Sequence, residues 1–121
     1  MTKVYKRESE VEWEDHFMTD QGKIKWIYTK EKDGSPITVM KTHLKRGVTL
    51  PDHRHPDQPD LIYPLQGKAT MFIEGEGEFP LGPGMVIMVP PNTLHAIRNV
   101  EEDVVLYNVF APAIPYRPGK K

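Results

Sequence analysis

The sequence predicts an all-β fold, a small antiparallel sandwich or barrel, on three observations. Twelve prolines and nine glycines are spread along the 121 residues and divide the chain into short segments. Several segments are rich in β-branched and aromatic residues and are separated by turn signals. No long run of good helix formers repeats with the period of an amphipathic helix. We therefore expect an antiparallel sheet whose closure removes exposed edges.

The strands are assigned in chain order from their composition and from the turns between them. The first strand, residues 24–28, precedes Asp33-Gly34, a dipeptide typical of hairpins, and the second covers residues 36–44. A turn is predicted at Gln66-Gly67, and Pro64 predicts an edge position or a bulge just before it. The remaining strands are expected at residues 60–65, 69–74, 77–81, 85–89, 95–99 and 104–110.

Length and composition fit one domain. A chain of 121 residues has the size of a typical domain and can bury a core without cross-links. The sequence shows no repeat and no linker. We interpret residues 1–121 as a single domain, with a barrel core at about 24–110, an N-terminal arm over 1–23 and a proline-rich C-terminal tail over 111–121.

Charge and composition exclude several classes of function. Sixteen Lys and Arg against seventeen Asp and Glu give a net charge of −1, whereas nucleic-acid binding needs a basic excess. No apolar run approaches the roughly 20 residues of a membrane helix, and the charged N-terminus lacks a signal-peptide core. Because the chain has no cysteine, any metal would be held by nitrogen and oxygen ligands. We expect a cytoplasmic protein that binds neither nucleic acid nor membrane.

The stretch HRHPDQPD contains candidate metal ligands. Alternate residues of a strand share one face, so His53 and His55 point the same way while Arg54 points to the opposite face. Two imidazoles placed like this can reach one ion at about 2.0–2.1 Å. Asp60 closes the stretch after two prolines that stiffen the turn, and His95 lies on a separate strand after a proline–asparagine turn.

Two spaced motifs resemble those of the cupin superfamily. The first consists of Gly47, five residues, His53-x-His55, four residues, Asp60, six residues and Gly67. The second consists of Gly84, five residues, Pro90-x-Asn92, two residues, His95, three residues and Asn99. Together they span just under half of the chain in the expected order. The resemblance implies a small β-barrel of jelly-roll type, in which both histidines and the Asp of the first motif and the histidine of the second bind one divalent metal.

The sequence departs from the cupin pattern at two positions. The acidic ligand is usually Glu, whereas Asp60 stands here and reaches one methylene less far. Gln58, two residues away, is therefore a candidate substitute for it. Asn92 stands where the pattern has Gly, and because Asn tolerates left-handed backbone we expect the turn to survive.

The ligand set implies one divalent transition metal per chain. Nitrogen and oxygen ligands suit iron, manganese, nickel, zinc or copper, and the order of affinities does not choose among them. Three histidines and one carboxylate leave one or two positions for water or a small polar substrate. Iron is slightly favoured, since an iron(II) site that binds a chelating enol, diketone, thiol or phenol beside O₂ would make the protein a dioxygenase-type oxidoreductase.

Two other functions stay open at this point. The metal could instead polarise a carbonyl in an isomerase, epimerase or lyase acting on a sugar or carboxylic acid, which requires a general base. The candidate acid–base residues are Tyr63, Tyr107, His43 and Glu74. Alternatively, the protein could be a non-catalytic module that binds a small molecule, because fold alone does not give the reaction.

Simpler structural roles are expected for several other residues. Trp26, Met40, Met88, Phe72 and Phe110 are interpreted as barrel core. His16, in the charged N-terminal arm, is expected to be exposed to solvent. An open sheet edge, the arm and the tail favour pairing with a second copy, so we expect a homodimer.

Overall fold

The computed structural model describes residues 4–119, which form an almost entirely antiparallel β-structure. Its helical elements are a single 3₁₀ turn at Glu8–Glu10 and the one-turn helix α1 at Lys30–Asp33. No helix of these residues has the length and apolarity to cross a membrane. The strands are β1 Glu14–Asp15, β2 Gly22–Tyr28, β3 Thr38–Leu44, β4 Leu50–His53, β5 Asp60–Ile73, β6 Gly77–Leu81, β7 Ile87–Val89 and β8 His95–Phe110. The predicted all-β class is confirmed.

Two long strands, β5 and β8, organise the barrel because they pair along nearly their whole length. The first half of β5 lies between β7 and the second half of β8, which continues through β3 to β2 and β1. The second half of β5 lies between β6 and the first half of β8, which also pairs with β4. The same two strands therefore belong to both halves of the sheet, as a jelly-roll barrel requires.

The turn predicted at Gln66-Gly67 is wrong, because the two strands expected on either side of it form one continuous strand, β5. The register with β8 shifts between Pro64 and Thr70, so the backbone bends there without leaving the sheet. The bulge predicted at Pro64 is present. Residues 95–99 and 104–110, predicted as two strands, likewise form the single strand β8.

The sheet is not closed by hydrogen bonds among the described residues, because the paired strands end at β1 and β6. Complete removal of the edges was therefore a wrong expectation. The C-terminal tail instead packs on its own barrel. The Ile114 N–H donates to Thr38 Oγ1 at 3.0 Å, and the Tyr116 ring packs edge-on against Trp26 at 5.0 Å between centroids.

The core prediction is correct for three of its five residues. Trp26, Met40 and Phe110 are buried. Met88 is 57% exposed, because its two neighbours on β7 are the residues that point into the core. Phe72 is half-buried on the outer face, where the Arg98 guanidinium lies 4.3 Å from its ring centroid.

The bend of β5 generates a prediction about Gly67. Its φ is +101°, and a Cβ added there would lie 2.3 Å from the carbonyl oxygen of Asp103 on β8. Backbone strain costs about 1–3 kcal/mol and overpacking about 1–3 kcal/mol more, so Gly67→Ala is expected to lower the free energy of unfolding by about 2–6 kcal/mol. Urea denaturation measures this change.

Gly75→Ala is the matched control for this substitution. Gly75 also has a positive φ, +90°, but nothing lies within 4 Å of the added Cβ. The control should show the strain without the overlap. Equal losses of stability in the two variants would show that close approach of β8 does not constrain Gly67.

Candidate metal site

Three histidines converge inside the barrel. His53 is the last residue of β4 and His95 the first of β8, and the two are partners in the strand register. His55 follows β4 in the loop that leads to β5. One ligand atom from each of the three lies within 4.8 Å of the others, so these histidines could hold a metal ion.

Backbone carbonyls set the orientation of two of these rings. His53 Nδ1 lies 2.8 Å from the Pro51 carbonyl oxygen, and His95 Nδ1 lies 2.8 Å from that of Thr93. Because a carbonyl only accepts hydrogen bonds, Nδ1 carries the proton in both neutral rings and Nε2 keeps its lone pair. His95 Nε2 is buried and has no hydrogen-bond partner among residues 4–119. A buried acceptor without a donor is costly, and a cation would satisfy it.

Asp60, the first residue of β5, lies beside the histidines. Its side-chain oxygen Oδ2 is 3.4 Å from His95 Nε2 and 3.9 Å from His55 Nε2. Two ligands about 2.1 Å from one ion are roughly 3.0–3.5 Å apart when adjacent, so the distance to His95 fits a shared ion, whereas the distance to His55 is wider than this range. The shorter side chain of Asp60 therefore does not keep its carboxylate away from the histidines.

A buried hydrogen-bond chain holds the carboxylate in place. Asn108 Nδ2 donates to Asp60 Oδ1 at 2.9 Å, and Thr42 Oγ1 donates to Asn108 Oδ1 at 2.9 Å. All three residues are buried, and Asp60 is only 3% exposed. The chain occupies Oδ1 and leaves Oδ2 for the histidine side of the cavity.

Gln58, the candidate substitute for Asp60, lies farther out. It lines the outer part of the cavity together with Pro56 and the tail residue Ile114, and its Nε2 donates to the Ala113 carbonyl at 3.3 Å. Its amide thus contacts the C-terminal tail, whereas Asp60 contacts the histidines.

Asn92 connects the loops that carry the histidines. Its φ is +54°, the left-handed conformation that the sequence led us to expect for the turn. The Asn92 N–H donates to the His55 carbonyl at 2.8 Å. This bond links the loop after β4 to the turn before β8.

Among the described residues, the four acid–base candidates do not line the histidine cavity. Tyr63 and Tyr107 are register partners on the outer face, and Tyr63 is 47% exposed. His43 also points outward, where its Nε2 lies 3.0 Å from Asp103 Oδ2. Strand alternation explains these positions, because the buried residues of β3, β5 and β8 next to them are the even-numbered ones.

The fourth candidate, Glu74, is exposed at the turn between β5 and β6. Its Oε1 accepts a hydrogen bond from the Leu94 N–H at 3.2 Å. Glu74 therefore stabilises, from outside the cavity, the backbone of the residue that precedes His95.

His16 does line the cavity, and the expectation that it is exposed is wrong. It is 5% exposed and stacks on Phe17 at 5.1 Å between centroids. The Met18 N–H donates to His16 Nδ1 at 3.0 Å, so the neutral ring carries its proton on Nε2. His16 is buried because the N-terminal arm folds back over the barrel. The alternation of residues along strands does not predict this packing.

The buried hydrogen-bond chain from Thr42 through Asn108 to Asp60 was not predicted, although the sequence contains a signal for it. Asn108 stands at an inward position of β8 between Leu106 and Phe110, and Thr42 stands at an inward position of β3. A polar residue among inward-facing apolar ones predicts a buried partner. The partner itself, Asp60, comes from a distant part of the chain.

Burial favours the neutral form of three of the cavity histidines, His16, His53 and His55. It lowers the pKa of His16 to about 4, with a further contribution from the charge of His53. It also lowers the pKa of His55 to about 4, against the attraction of Asp60. The pKa of His53 is lowered by burial and then by the charge of His95. Neutral imidazoles have the free lone pairs that metal binding requires.

A sequence profile for a cupin domain matches residues 40–110 of the chain. The chain belongs to the cupin family. This agrees with the two motifs and with the barrel, and it places the histidine cluster inside the matched region.

Individual relatives of this cupin have varied names. Quercetin 2,3-dioxygenase of Bacillus subtilis is 32% identical over 85 residues, which cover 70% of this chain and 25% of the relative. Glucose-6-phosphate isomerase of Thermococcus kodakarensis is 35% identical over 65 residues, 50% of this chain and 34% of the relative. The cupin thus spans between a quarter and about a third of these two relatives.

A solved structure extends the similarity of the fold over most of the chain. The structure of KdgF from Halomonas sp. superposes with a TM-score of 0.73 at 24% identity, covering 86% of this chain and 90% of KdgF. At this identity the similarity concerns the fold, in agreement with the jelly-roll barrel described above.

The lowered histidine pKa values predict that the metal-free protein loses stability in mild acid. The ordinary pKa of an unfolded histidine is about 6.5, so between pH 6.5 and 4 the unfolded chain binds protons that His16 and His55 in the folded protein do not. Stability is therefore full above about pH 6.5 and falls as the pH drops toward 4. Urea titrations of chelator-treated protein across this range measure the slope.

A His16→Asn variant isolates one of these protons, because asparagine offers an acceptor near the position of Nδ1. We expect its slope to be smaller than that of the wild type by up to about 1.4 kcal/mol per pH unit, the value for one proton. Parallel slopes for the two proteins would contradict the burial of a neutral His16.

Proposed function

We propose that this cupin is a mononuclear metal-dependent enzyme acting on a small polar organic molecule. The observation that carries the proposal is the buried His95 Nε2, which keeps a lone pair and has no hydrogen-bond partner in the described part of the chain. His53 presents its Nε2 in the same tautomer, and the three histidines could hold a metal ion. Asp60, near His95 and His55, would add one oxygen to the three nitrogen ligands. This donor set suits a divalent transition metal with open positions for ligands.

Within this proposal, we favour oxygen chemistry of the dioxygenase type with iron as the metal. A bound redox metal would supply the chemistry that lets a chelating substrate react with O₂. The protein holds His53 and His95 in one tautomer, fixes Asp60 Oδ1 within a hydrogen-bond chain and surrounds the site with apolar side chains that exclude water. These apolar side chains are Met40, Leu50, Ile62, Ile97, Leu106 and Phe110.

The placement of the acid–base groups supports this preference. A non-redox isomerase or lyase needs a base that removes a proton from carbon. The four candidate bases lie outside the cavity, and the Nδ1 lone pair of His16 already accepts the Met18 N–H. His16 can therefore donate a hydrogen bond to a substrate from Nε2, but its lone pair is already in use.

The second candidate is a non-redox isomerase, and one specific observation favours it. The relative with the higher identity of the two described above is named a glucose-6-phosphate isomerase. In such a reaction the metal would polarise a carbonyl, and Asp60 or a water would have to accept the proton. A third possibility, a non-catalytic binding module, requires no turnover at all.

Metal content tests the proposal. Protein purified without chelator should contain close to one transition metal per chain, and the double variant His53→Ala/His95→Ala should contain almost none. His43→Ala is the matched control, because His43 lies on the outer face and should keep the metal. Elemental analysis measures all three. A wild type that takes up none of iron, manganese, nickel, zinc or copper would refute the enzyme proposal and leave the binding module.

Oxygen uptake then separates the two enzymatic candidates on the same proteins. We expect the iron-loaded wild type and His43→Ala to consume O₂ with small enols, diketones, thiols or phenols, and the double variant to consume none. Turnover of a sugar or carboxylic acid without O₂ uptake would instead favour the isomerase.

We also propose that the chain forms a homodimer. Large apolar side chains are exposed on the outer face of β5 and around β7. Monomeric proteins rarely expose large continuous apolar patches, so such a patch suggests an interface. The exposed large apolar side chains of this outer face are Tyr63, Leu65, Val86 and Met88. A second copy that packs the same patch against this one would bury both.

Gel filtration checks this prediction. The wild type should elute near twice the chain mass of 13.9 kDa, and Met88→Glu should shift it toward the monomer because it places a charge in the patch. Ile37→Glu is the control, since Ile37 is an exposed apolar residue outside this outer face. A wild type that elutes as a monomer at micromolar concentration would refute the dimer.

A further inference from the structure

The histidine cavity continues outward into a vestibule that contains two arginines. His53, His55, Phe17 and Met18 line both spaces, so the vestibule is the outer part of the same site. Arg54 and Arg117 are the permanently charged side chains among its described lining residues, which include no carboxylate. Arg54 is exposed, between the half-buried His53 and His55, and it also lines the vestibule.

Neither guanidinium forms an ion pair within the described part of the chain. Arg54 Nη1 reaches only the Asn92 carbonyl, at 3.4 Å, and Arg117 lies over the Phe17 ring at 5.5 Å from its centroid. On the outer face, by contrast, Arg98 is paired at 2.9 Å with both Asp52 and Glu78. The vestibule thus has positive charge that the protein does not neutralise.

Arg117 lies on the same side of the site as the histidines. Arg117 and His55 both line the vestibule. An anion near Arg117 would therefore lie close to the proposed ligand His55.

Size limits what the site can hold. The inner cavity has about 30 Å³ of free volume, enough for little more than one water molecule, and the vestibule has about 200 Å³. Most ligand pockets measure about 300–1,000 Å³, so the ligand here should be small. Its body must lie in the vestibule, with only its polar end reaching the histidines.

We propose that the ligand of this site is a small organic carboxylate, bound through that carboxylate by Arg54 and Arg117, with its second polar group directed toward the histidines. The planar guanidinium fork matches the two oxygens of a carboxylate and forms paired, charge-assisted hydrogen bonds with it. The Phe17 ring supports the Arg117 plane from one side. This inference rests on the proposed function, because the ligand occupies the same cavity.

The test is direct binding of defined probes by calorimetry, on metal-free and on zinc-loaded protein. The probes are lactate, malonate and succinate, each compared with its uncharged amide of the same shape, and inorganic phosphate. At least one carboxylate should bind at millimolar concentration or below, at least tenfold more tightly than its amide and than phosphate. Arg54→Gln and Arg117→Gln should each weaken that binding about tenfold or more.

Arg46→Gln is the matched control, since it removes the same charge from an exposed residue outside the vestibule. It should leave the affinity unchanged. Arg117→Lys keeps the charge without the planar fork, and we expect it to recover only part of the binding. Thermal unfolding of each variant shows that the barrel is intact.

Several results would overturn the inference. These are no binding of any of the three carboxylates at 20 mM, equal binding of acid and amide, equal affinity for phosphate, or equal losses in Arg46→Gln and Arg117→Gln. Metal content distinguishes this failure from that of the proposed function. A protein that holds its metal but shows no arginine-dependent carboxylate binding refutes only this inference, whereas a protein without metal refutes the proposed function.

Discussion

The bend of the β5–β8 pair is the constraint on which the rest of the site depends. In the strand register Asp60 lies opposite Phe110, at the end of β8, whereas His95 lies opposite Ile73, at the other end of the pair. A straight ribbon would hold Asp60 and His95 many residues apart. Their side chains are nevertheless 3.4 Å apart, because the ribbon folds over so that its two halves face each other. The register shifts of β5 and the residue Gly67 lie at this bend.

Side chains from two apolar clusters line the site. The larger contains Ile62, Ile97 and Leu106, and the smaller contains Met40 and Phe110. Placing an aspartate here is costly unless its oxygens are satisfied, and Asn108 and Thr42 meet part of that requirement from neighbouring strands. A chain in which every member has a partner also rigidifies the side chains that it joins. The polar groups are therefore part of the packing and do not interrupt it.

Much of this arrangement could be predicted from the sequence, because strand alternation and motif spacing are local properties. The spacing of His53, His55 and His95 predicted that they converge, and the positive φ of Asn92 was expected from its residue type. The turn predicted at Gln66-Gly67 was wrong because the glycine marks a bend within one strand. Glycine occurs in both turns and bulges, so the sequence alone does not distinguish them.

The positions of other residues depend on contacts between distant segments. His16 is buried because the arm folds over the barrel, and its charged sequence neighbours suggested the opposite. Asn108 was visible as a polar residue at an inward position, but its partner Asp60 lies 48 residues away in the sequence. Long-range pairing of this kind is determined by the whole sheet, which local patterns do not describe.

The C-terminal tail has a consequence for how this scaffold can diversify. Ile114, Pro115 and Arg117 form one wall of the vestibule, yet they lie outside the hydrogen-bonded strands. The histidines, by contrast, lie at strand ends or in a loop that a backbone hydrogen bond holds. Ile114 is buried in the core, but Pro115 and Arg117 are exposed, so substitutions at these two positions can change what approaches the site without altering the strands that support the histidines. Ligand recognition and the proposed metal centre can therefore evolve through substitutions at different positions of the same domain.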